Sequence, residues 1–261
     1  MNAPLPLARR DLIASRLANG QPVNSAALAA EYGVSEDAIR RDLRALAAEG
    51  RCRRVYGGAL PISHDETPML SRVGRDAHRK SALAQAAAQT IRASEFVFLD
   101  AGSTNLAIVD FIPPQLDLVI ATNCIEIAAA AMQRGDIRLF MVGGTIDCSI
   151  GGAVDASALQ AVEQMYIDRS FIGACSVSAS SGFSVWNSDD AYFKKCLVRN
   201  SRQRVMLALN EKLTASATFR VASLSEFDLI FVEHNVDSLT ANELTNSGAT
   251  LLRAPPALDN A

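Results

Sequence analysis

The sequence predicts two parts of different fold: a small winged helix-turn-helix domain, then a larger α/β domain with an open, mainly parallel sheet. The first observation is charge. Residues 1–60 carry nine arginines against six acidic side chains, although the chain of 261 residues has a net charge of −3. The second observation is the hydrophobic pattern beyond residue 70. Short apolar runs there alternate with segments of helical periodicity, which is typical of βα units. Hydrophobic residues form 49% of the chain, enough for more than one core.

Three helices are predicted in the first part, which we place at residues 1–60. The first covers about residues 7–18. Asn24 or Ser25 caps the second, which stops at Gly33, and Ser35 caps the third, which continues to about residue 48. Because the second and third helices are so closely connected, they form a helix-turn-helix.

The third helix has two unlike faces. Ile39, Leu43 and Leu46 follow an i, i+4, i+7 spacing and form an apolar stripe. The opposite face carries Arg40, Arg41 and Arg44. An α-helix fits the DNA major groove, where the forked arginine side chain reaches guanine or phosphate. An ordinary solvated face is the alternative, but the exclusive use of arginine in a tight helical pair favours DNA binding.

A basic strand is predicted after the third helix, from Cys52 to Tyr56, with a turn at Gly57–Gly58. A short basic ribbon beside a recognition helix is a wing that lies along the phosphate backbone. The predicted DNA-binding residues are therefore Ser35, Arg40, Arg41, Arg44, Arg53, Arg54 and Tyr56.

The second part is predicted to begin after a polar linker at residues 61–70 and to cover residues 71–255, followed by a tail at 256–261. A helix is expected over residues 71–93. The expected strands are 96–100, 116–121, 137–144, 169–174, 204–209 and 227–233, with 249–254 as a possible last strand. The expected helices between them are 103–112, 123–133, 154–166, 187–200 and 237–246. Such apolar strands indicate a sheet covered on both faces.

Polar residues and glycines follow several of these strands, where open α/β sheets bind their ligands. Asp100 and Gly102 lead into a helix that begins Ser103-Thr104-Asn105, and a helix N-terminus favours phosphate. Ordinary capping by Ser103 is the alternative. The other candidate ligand-binding residues at strand ends are Thr122, Asn123, Gly143, Gly144 and Lys212.

Both parts resemble one known family. Residues 34–59, VSEDAIRRDLRALAAEGRCRRVYGGA, resemble the signature of the DeoR family of bacterial transcriptional regulators, although Ala38 and Tyr56 replace a usual threonine and histidine. The strand-end motifs resemble the family's effector domain over roughly residues 71–255, with Lys80 and Lys194 at family lysine positions. Leu209 stands where the family has an acid three residues before Lys212.

The resemblance implies a body similar to sugar-phosphate isomerases and a DNA-binding transcriptional regulator, a repressor of a carbohydrate or polyol catabolic operon. It implies that a phosphorylated sugar-like effector controls operator binding. The expected partners are a double-stranded DNA operator, this effector and further copies of the chain, as a dimer or tetramer. Because Leu209 cannot accept a hydroxyl hydrogen bond, either Asn210 or Glu211 substitutes for the missing acid, or the effector is less hydroxylated or differently oriented than is usual for the family.

Other classes of function remain as alternatives. An isomerase- or deaminase-like enzyme with a regulatory head needs a carboxylate base, and Asp100 and Glu126 qualify by position alone. A DNA-binding scaffold with an oligomerising body is the third reading. The five cysteines are widely spaced, so no metal site is expected. The three histidines suggest no histidine–acid pair, so no catalytic residue is expected, and no cofactor is expected either. The N-terminus lacks a leader pattern and no apolar run reaches bilayer length, so we expect a cytoplasmic protein without a membrane partner.

Overall fold

The computed structural model describes residues 6–18, 21, 23–49, 51–61, 68–213 and 217–257. The chain forms two compact units, Met1–Thr67 and Pro68–Ala261. The helices of the N-terminal unit are α1 (Pro6–Ala18), α2 (Ser25–Tyr32) and α3 (Glu36–Ala48). Its strands are β1 (Val23–Asn24), β2 (Cys52–Val55) and β3 (Gly58–Pro61), which form an antiparallel sheet in the order β1-β3-β2. This is the predicted winged helix-turn-helix.

Local capping explains where the helices of this unit begin and end. The Asn24 side chain accepts hydrogen bonds from two amides of the first turn of α2, and Gly33 ends that helix in the left-handed region with φ of 64°. Ser35 Oγ accepts a hydrogen bond from Ala38 N at 3.3 Å and so caps α3. The short connection between α2 and α3 is therefore determined by local sequence.

The apolar stripe of α3 forms the centre of the N-terminal core. Ile39, Leu43 and Leu46 are buried, and they pack in one cluster with Ile13 and Leu17 of α1. This burial holds α3 against the rest of the unit and leaves its other face to solvent.

The C-terminal unit contains twelve strands among its described residues. They are β4 (Phe96–Leu99), β5 (Val119–Thr122), β6 (Arg138–Met141), β7 (Ile146–Asp147), β8 (Gly152–Ala153), β9 (Ile167–Gly173), β10 (Ser176–Ser178), β11 (Gly182–Val185), β12 (Ser201–Ala208), β13 (Phe219–Ala222), β14 (Leu229–Val232) and β15 (Leu251–Arg253). Seven of them, including the possible last strand, form the main sheet in the order β15-β14-β12-β9-β4-β5-β6. Every pairing in this sheet is parallel.

Two apolar cores cover the main sheet, one on each face. Val97 and Leu99 of β4 belong to one cluster of buried side chains and Phe98 to the other, because successive side chains of a strand point to opposite faces. The surrounding helices are α4 (Met69–Val73), α5 (Ala77–Ala88), α6 (Ser103–Phe111), α7 (Ile125–Arg134), α8 (Ala156–Glu163), α9 (Ser188–Asn200) and α10 (Ser238–Asn246).

Two features of this unit differ from the prediction. The single helix expected over residues 71–93 is divided into α4 and α5, because Asp76 adopts a left-handed conformation with φ of 52°. The hairpin β7–β8 and the antiparallel sheet β10-β11-β13 were not predicted. These strands have two to four residues, which is too short for a clear period-two pattern.

Candidate functional site

The predicted recognition helix α3 directs its arginines to solvent. Arg40, Arg41 and Arg44 are exposed, whereas Ile39 and Leu43 on the same helix are buried. Arg40 forms ion pairs with two carboxylates of its own helix, at 2.8 and 3.3 Å. Exposed helical pairs are worth roughly 0.3–0.5 kcal/mol, less than the roughly 1–3 kcal/mol of a bidentate contact with a base. The two exposed pairs therefore hold Arg40 only weakly to its own helix.

The acidic residue of the arginine motif has a structural position. Asp42 is 4% exposed and its Oδ2 lies 2.7 Å from Arg9 Nε, which is also buried. The pair joins α3 to α1. The motif thus places one buried charged residue, which anchors the helix, between exposed arginines.

The wing is formed by β2, β3 and the turn between them. Arg54 is exposed, and Tyr56 at the turn is fully exposed. The backbone of Arg53 lies in β2, but its side chain is outside the described part of the chain. A Cβ built on Gly58 would lie 2.0 Å from Val23 O, so only glycine allows β1 to pair with the wing here. The candidate Ser35 is also exposed, and its hydroxyl retains a donor while it caps α3.

In the C-terminal unit, the strand order of the main sheet predicts a ligand crevice between β4 and β9. The strands that follow β4 in the chain, β5 and β6, lie on one side of it in the sheet, and β9 lies on its other side. The strand order therefore reverses between β4 and β9, and open sheets bind their ligands at such a switch point. The loops after the two strands pass closely here. A Cβ on Gly102 would lie 3.8 Å from Gly173 Cα, and one on Gly173 would lie 2.6 Å from Ala101 O. Close backbone approach therefore requires glycine at position 173.

Helix α6 begins at this crevice. Gly102 occupies its N-cap position and Ser103 is the first helical residue, so the alternative in which Ser103 caps the helix is wrong. Ser103 is buried and Thr104 is half-buried. The backbone N–H groups of a first helical turn lack acceptors within the helix and favour an anion.

Three other candidate side chains form hydrogen bonds with the backbone. Asn105 Nδ2 donates to the carbonyl oxygens of Asp100 and Phe171, both at 2.9 Å. Asn123 and Thr122 accept hydrogen bonds from nearby backbone amides at 3.0 and 3.1 Å. All three side chains are buried. They fix the loops that surround the crevice, a role that spacing in the sequence did not indicate.

Asp100 belongs to a buried cluster of charges. Lys194 Nζ lies 2.7 Å from Asp100 Oδ2 and 2.6 Å from Asp190 Oδ1. Burial lowers the pKa of Lys194, but the two carboxylates outweigh burial and raise it. Burial also raises the pKa of Asp190, in spite of the opposing effect of Lys194. Asp100 Oδ2 accepts a further hydrogen bond from Gly173 N at 2.8 Å, so this carboxylate holds β4 to the end of β9.

Lys212 also lies at the crevice. It ends a 3-10 turn, Asn210–Lys212, that follows β12, and its Nζ donates a hydrogen bond to the carbonyl oxygen of Ala174. Ala174 directly follows Gly173, the residue that approaches Gly102. The structure therefore brings Lys212 close to the start of α6, two positions that are more than a hundred residues apart in the sequence.

Lys80 on α5 adds a second ammonium group to this region. It is 5% exposed, and its Nζ donates to the carbonyl oxygen of Arg72. Burial is the main reason that the pKa of Lys80 falls to about 8. Asp76 opposes this change, while the positive charges of Lys212, Arg72 and Arg75 lower the pKa further. Mutual repulsion among these groups is typical of a site for an anion.

Arg79 links the helix that carries Lys80 to the turn that carries Lys212, a role that the sequence did not indicate. Arg79 Nε lies 2.7 Å from Glu233 Oε1, and its Nη2 lies 2.7 Å from Glu211 Oε2. Glu211 precedes Lys212, and Lys80 follows Arg79 on α5. The ion pairs thus hold the lysine-bearing turn against α5.

The remaining glycine candidates are farther from the crevice. Gly143 and Gly144 follow β6, which is separated from β4 by β5, so they lie roughly 9–10 Å away along the sheet. Gly144 is packed against Asp155, the N-cap of α8, since its Cβ would lie 2.4 Å from Asp155 Oδ1. Gly152 lies closer, because its Cβ would be 2.9 Å from Ala101 Cβ. The hairpin β7–β8, which was not predicted, therefore lies beside the loop that follows β4 and forms part of the wall of the crevice.

Within the described ranges, no group of three or more His, Cys, Asp or Glu side chains is placed to hold a metal ion. No helix in the same part of the chain is both long and apolar enough to cross a membrane.

Comparisons with known proteins cover both units. The family model for the DeoR-like helix-turn-helix domain matches residues 9–65, and that for the DeoR C terminal sensor domain matches residues 75–234. The uncharacterized HTH-type transcriptional regulator FruR of Bacillus subtilis (strain 168) is 30% identical, over 77% of this chain and 80% of its own. The glycerol-3-phosphate regulon repressor of Escherichia coli (strain K12) is 26% identical, over 81% of this chain and 84% of its own.

One solved structure similar to the C-terminal unit is ribose 5-phosphate isomerase A of Methanocaldococcus jannaschii. It is 16% identical with a TM-score of 0.39, and the match covers 58% of this chain and 57% of that one.

Proposed function

The chain belongs to the DeoR family of DNA-binding transcriptional regulators, and on this premise we propose that it represses a carbohydrate or polyol catabolic operon and is released by a phosphorylated, sugar-like effector. It is a regulator and not an enzyme, in agreement with the names of its relatives. One relative is named for the glycerol-3-phosphate regulon, and glycerol 3-phosphate is a phosphorylated polyol.

We assign the operator contacts to the exposed arginines of α3 and to the wing. Arg40, Arg41 and Arg44 reach base edges or phosphates in the major groove, because their helix is anchored by its opposite face. Arg54 and Tyr56 are exposed on the wing, where they contact the phosphate backbone. Arg53 and Ser35 complete the proposed set of contacts.

The observation that carries the effector proposal is the electrostatic interaction between Lys80 and Lys212. The charge of Lys212 lowers the pKa of Lys80, and a doubly charged phosphate between the two ammonium groups would compensate both positive charges. Lys212 is also close to the start of α6, whose amides provide hydrogen-bond donors. In the proposed complex the phosphate lies at Gly102–Asn105 and accepts hydrogen bonds from both lysines.

Leu209 bears on the choice of effector. It is 4% exposed and packs in an apolar cluster, so it offers no acceptor to a sugar hydroxyl. A short or sparsely hydroxylated phosphate ester is therefore the preferred candidate. The effector must bind the operator-bound and released arrangements with different affinity, since equal affinity for both shifts nothing.

The test measures operator release as candidate phosphate esters are added. We expect Lys212→Ala and Thr104→Val to abolish the response and to leave operator binding in the absence of ester nearly unchanged. Lys195→Ala is the matched control, because Lys195 contacts the Tyr192 ring on α9 and is expected to keep the response. If both crevice variants respond at the wild-type ester concentration, the phosphate binds elsewhere.

A further inference from the structure

The two edges of the main sheet differ in how they are protected. β15 forms one edge, and it ends at Arg253, shortly before Pro255 and Pro256. A charge and prolines are common means of preventing an edge strand from pairing with another chain. β6 forms the other edge, and after Arg138 it consists of Leu139, Phe140 and Met141.

Backbone groups of β6 are directed away from the sheet. Arg138 N donates to Leu118 O at 3.1 Å, and Val142 N donates to Thr122 O at 2.8 Å, so both amides face β5. Because a strand alternates with a period of two, the amides and carbonyls of Leu139 and Met141 face outward. Within the described part of the chain, β5 is the only strand that pairs with β6.

The side chains at this edge are apolar and accessible. Phe140 is 48% exposed and Met141 is 38% exposed. Ile125 and Met132 on α7, the helix that packs on β6, are 50% and 72% exposed. Exposed apolar side chains beside unpaired backbone groups are typical of a surface that pairs with another strand.

We propose that β6 pairs antiparallel with β6 of a second copy about a two-fold axis. A strand that pairs with itself is isologous, which is the commonest symmetry of protein dimers. In the register that pairs both outward residues with each other, Leu139 lies opposite Met141 of the other copy, and Phe140 lies on the axis against its own equivalent. A second copy is the favoured occupant because each chain has one recognition helix, and helix-turn-helix regulators commonly place two on one operator. The proposal rests on the DNA-binding role and not on the effector.

The first experiment compares the mass of three full-length chains by sedimentation, without DNA or phosphate ester. We expect the wild type to be a dimer or larger. Phe140→Glu is expected to halve the mass or to weaken the pairing at least about tenfold, since like charges then meet on the axis. Leu252→Glu, at the 40% exposed position on the opposite edge, is the control and is expected to keep the wild-type mass.

The second experiment does not depend on disruption of the pairing. Residues opposed on the axis belong to a non-hydrogen-bonded pair with Cα atoms about 4.5 Å apart, a distance that permits a disulfide. In a Cys148→Ser background, which removes an exposed native thiol, Phe140→Cys is expected to form a disulfide-linked dimer on oxidation and Leu252→Cys is not. A monomeric wild type, an unchanged mass in a folded Phe140→Glu, or no cross-link through position 140 would each overturn the proposal.

Discussion

Arg40 and Asp42 are two residues apart in one motif, yet their environments are opposite. Arg40 has half of its side chain exposed, at 52%, whereas the Asp42 side chain is 5% exposed and paired with Arg9. The i, i+4 pattern of Ile39 and Leu43 was sufficient to place the arginines on the solvent face. It did not indicate that Asp42 finds a buried partner, because that partner is on another helix.

At the residue scale, the first prediction concerns Arg40 and Arg41. Replacing either with alanine is expected to weaken operator binding by about 1–3 kcal/mol if it makes a bidentate base contact. Arg16→Ala is the control, since Arg16 pairs with Glu31 within the same unit. Mobility-shift titrations at constant salt measure the change. Wild-type affinity in a folded Arg40→Ala/Arg41→Ala double variant would contradict the assignment.

The second prediction concerns the pH dependence of effector binding. The pKa of Lys80 is lowered to about 8, chiefly by burial, so the group loses its proton as the pH rises through 8. A phosphate ester is already doubly charged above pH 7. The ester is proposed to bind the form of the protein in which Lys80 is protonated. Its apparent affinity is therefore expected to weaken about tenfold between pH 7 and pH 9, because the protonated fraction of Lys80 falls from about nine-tenths to about one-tenth. Titration calorimetry at both pH values measures this.

Lys80→Gln is the matched variant for this prediction. It is expected to bind the ester more weakly at pH 7 and to lose most of the change between pH 7 and pH 9. A wild type whose affinity is constant over this range would show that Lys80 is not in contact with the phosphate.

At the scale of the element, the position of α3 depends on more than its apolar stripe. The Arg9–Asp42 pair joins α3 to α1 at 2.7 Å with both side chains buried. Removing one member of a buried pair leaves the other charge without compensation, which typically costs about 3–5 kcal/mol. The recognition motif thus contains a residue that serves stability, Asp42, beside the arginines that are proposed to contact DNA.

We therefore predict that Asp42→Asn lowers the free energy of unfolding of the N-terminal unit by about 3 kcal/mol or more. Glu36→Gln, which affects only an exposed pair with Arg40, is expected to change it by less than about 0.5 kcal/mol. Denaturant unfolding of the full-length chain, followed by a probe in the N-terminal unit, distinguishes the two. Equal stability of both variants would mean that the buried pair contributes nothing.

At the scale of the whole molecule, the two proposed functions, operator binding and effector binding, belong to different compact units. The proposed operator contacts belong to Met1–Thr67, while Lys80, Lys212 and the start of α6 belong to Pro68–Ala261. Domains with their own cores commonly fold independently. A variant in one unit is therefore expected to leave the other unit's binding largely intact.

A chain restricted to residues 68–261 is accordingly expected to fold, to remain oligomeric and to bind the phosphate ester without binding the operator. Light scattering at micromolar concentration and calorimetry provide the two measurements. A monomeric fragment would place the contacts between copies in the N-terminal unit instead.

Features that depend on local order could be predicted from the sequence. Capping by Ser35, the stop at Gly33 and the two faces of α3 all follow from residues a few positions apart, and so do the apolar strands of the main sheet. For the cap of α2 the sequence left Asn24 and Ser25 open, and the structure shows Asn24. Three features could not be predicted in this way because they depend on tertiary packing: the order of the strands in the main sheet, the buried Asp100–Lys194–Asp190 cluster and the approach of Lys212 to α6. These contacts join residues far apart in the chain, and burial and charge compensation arise only when the chain has brought them together.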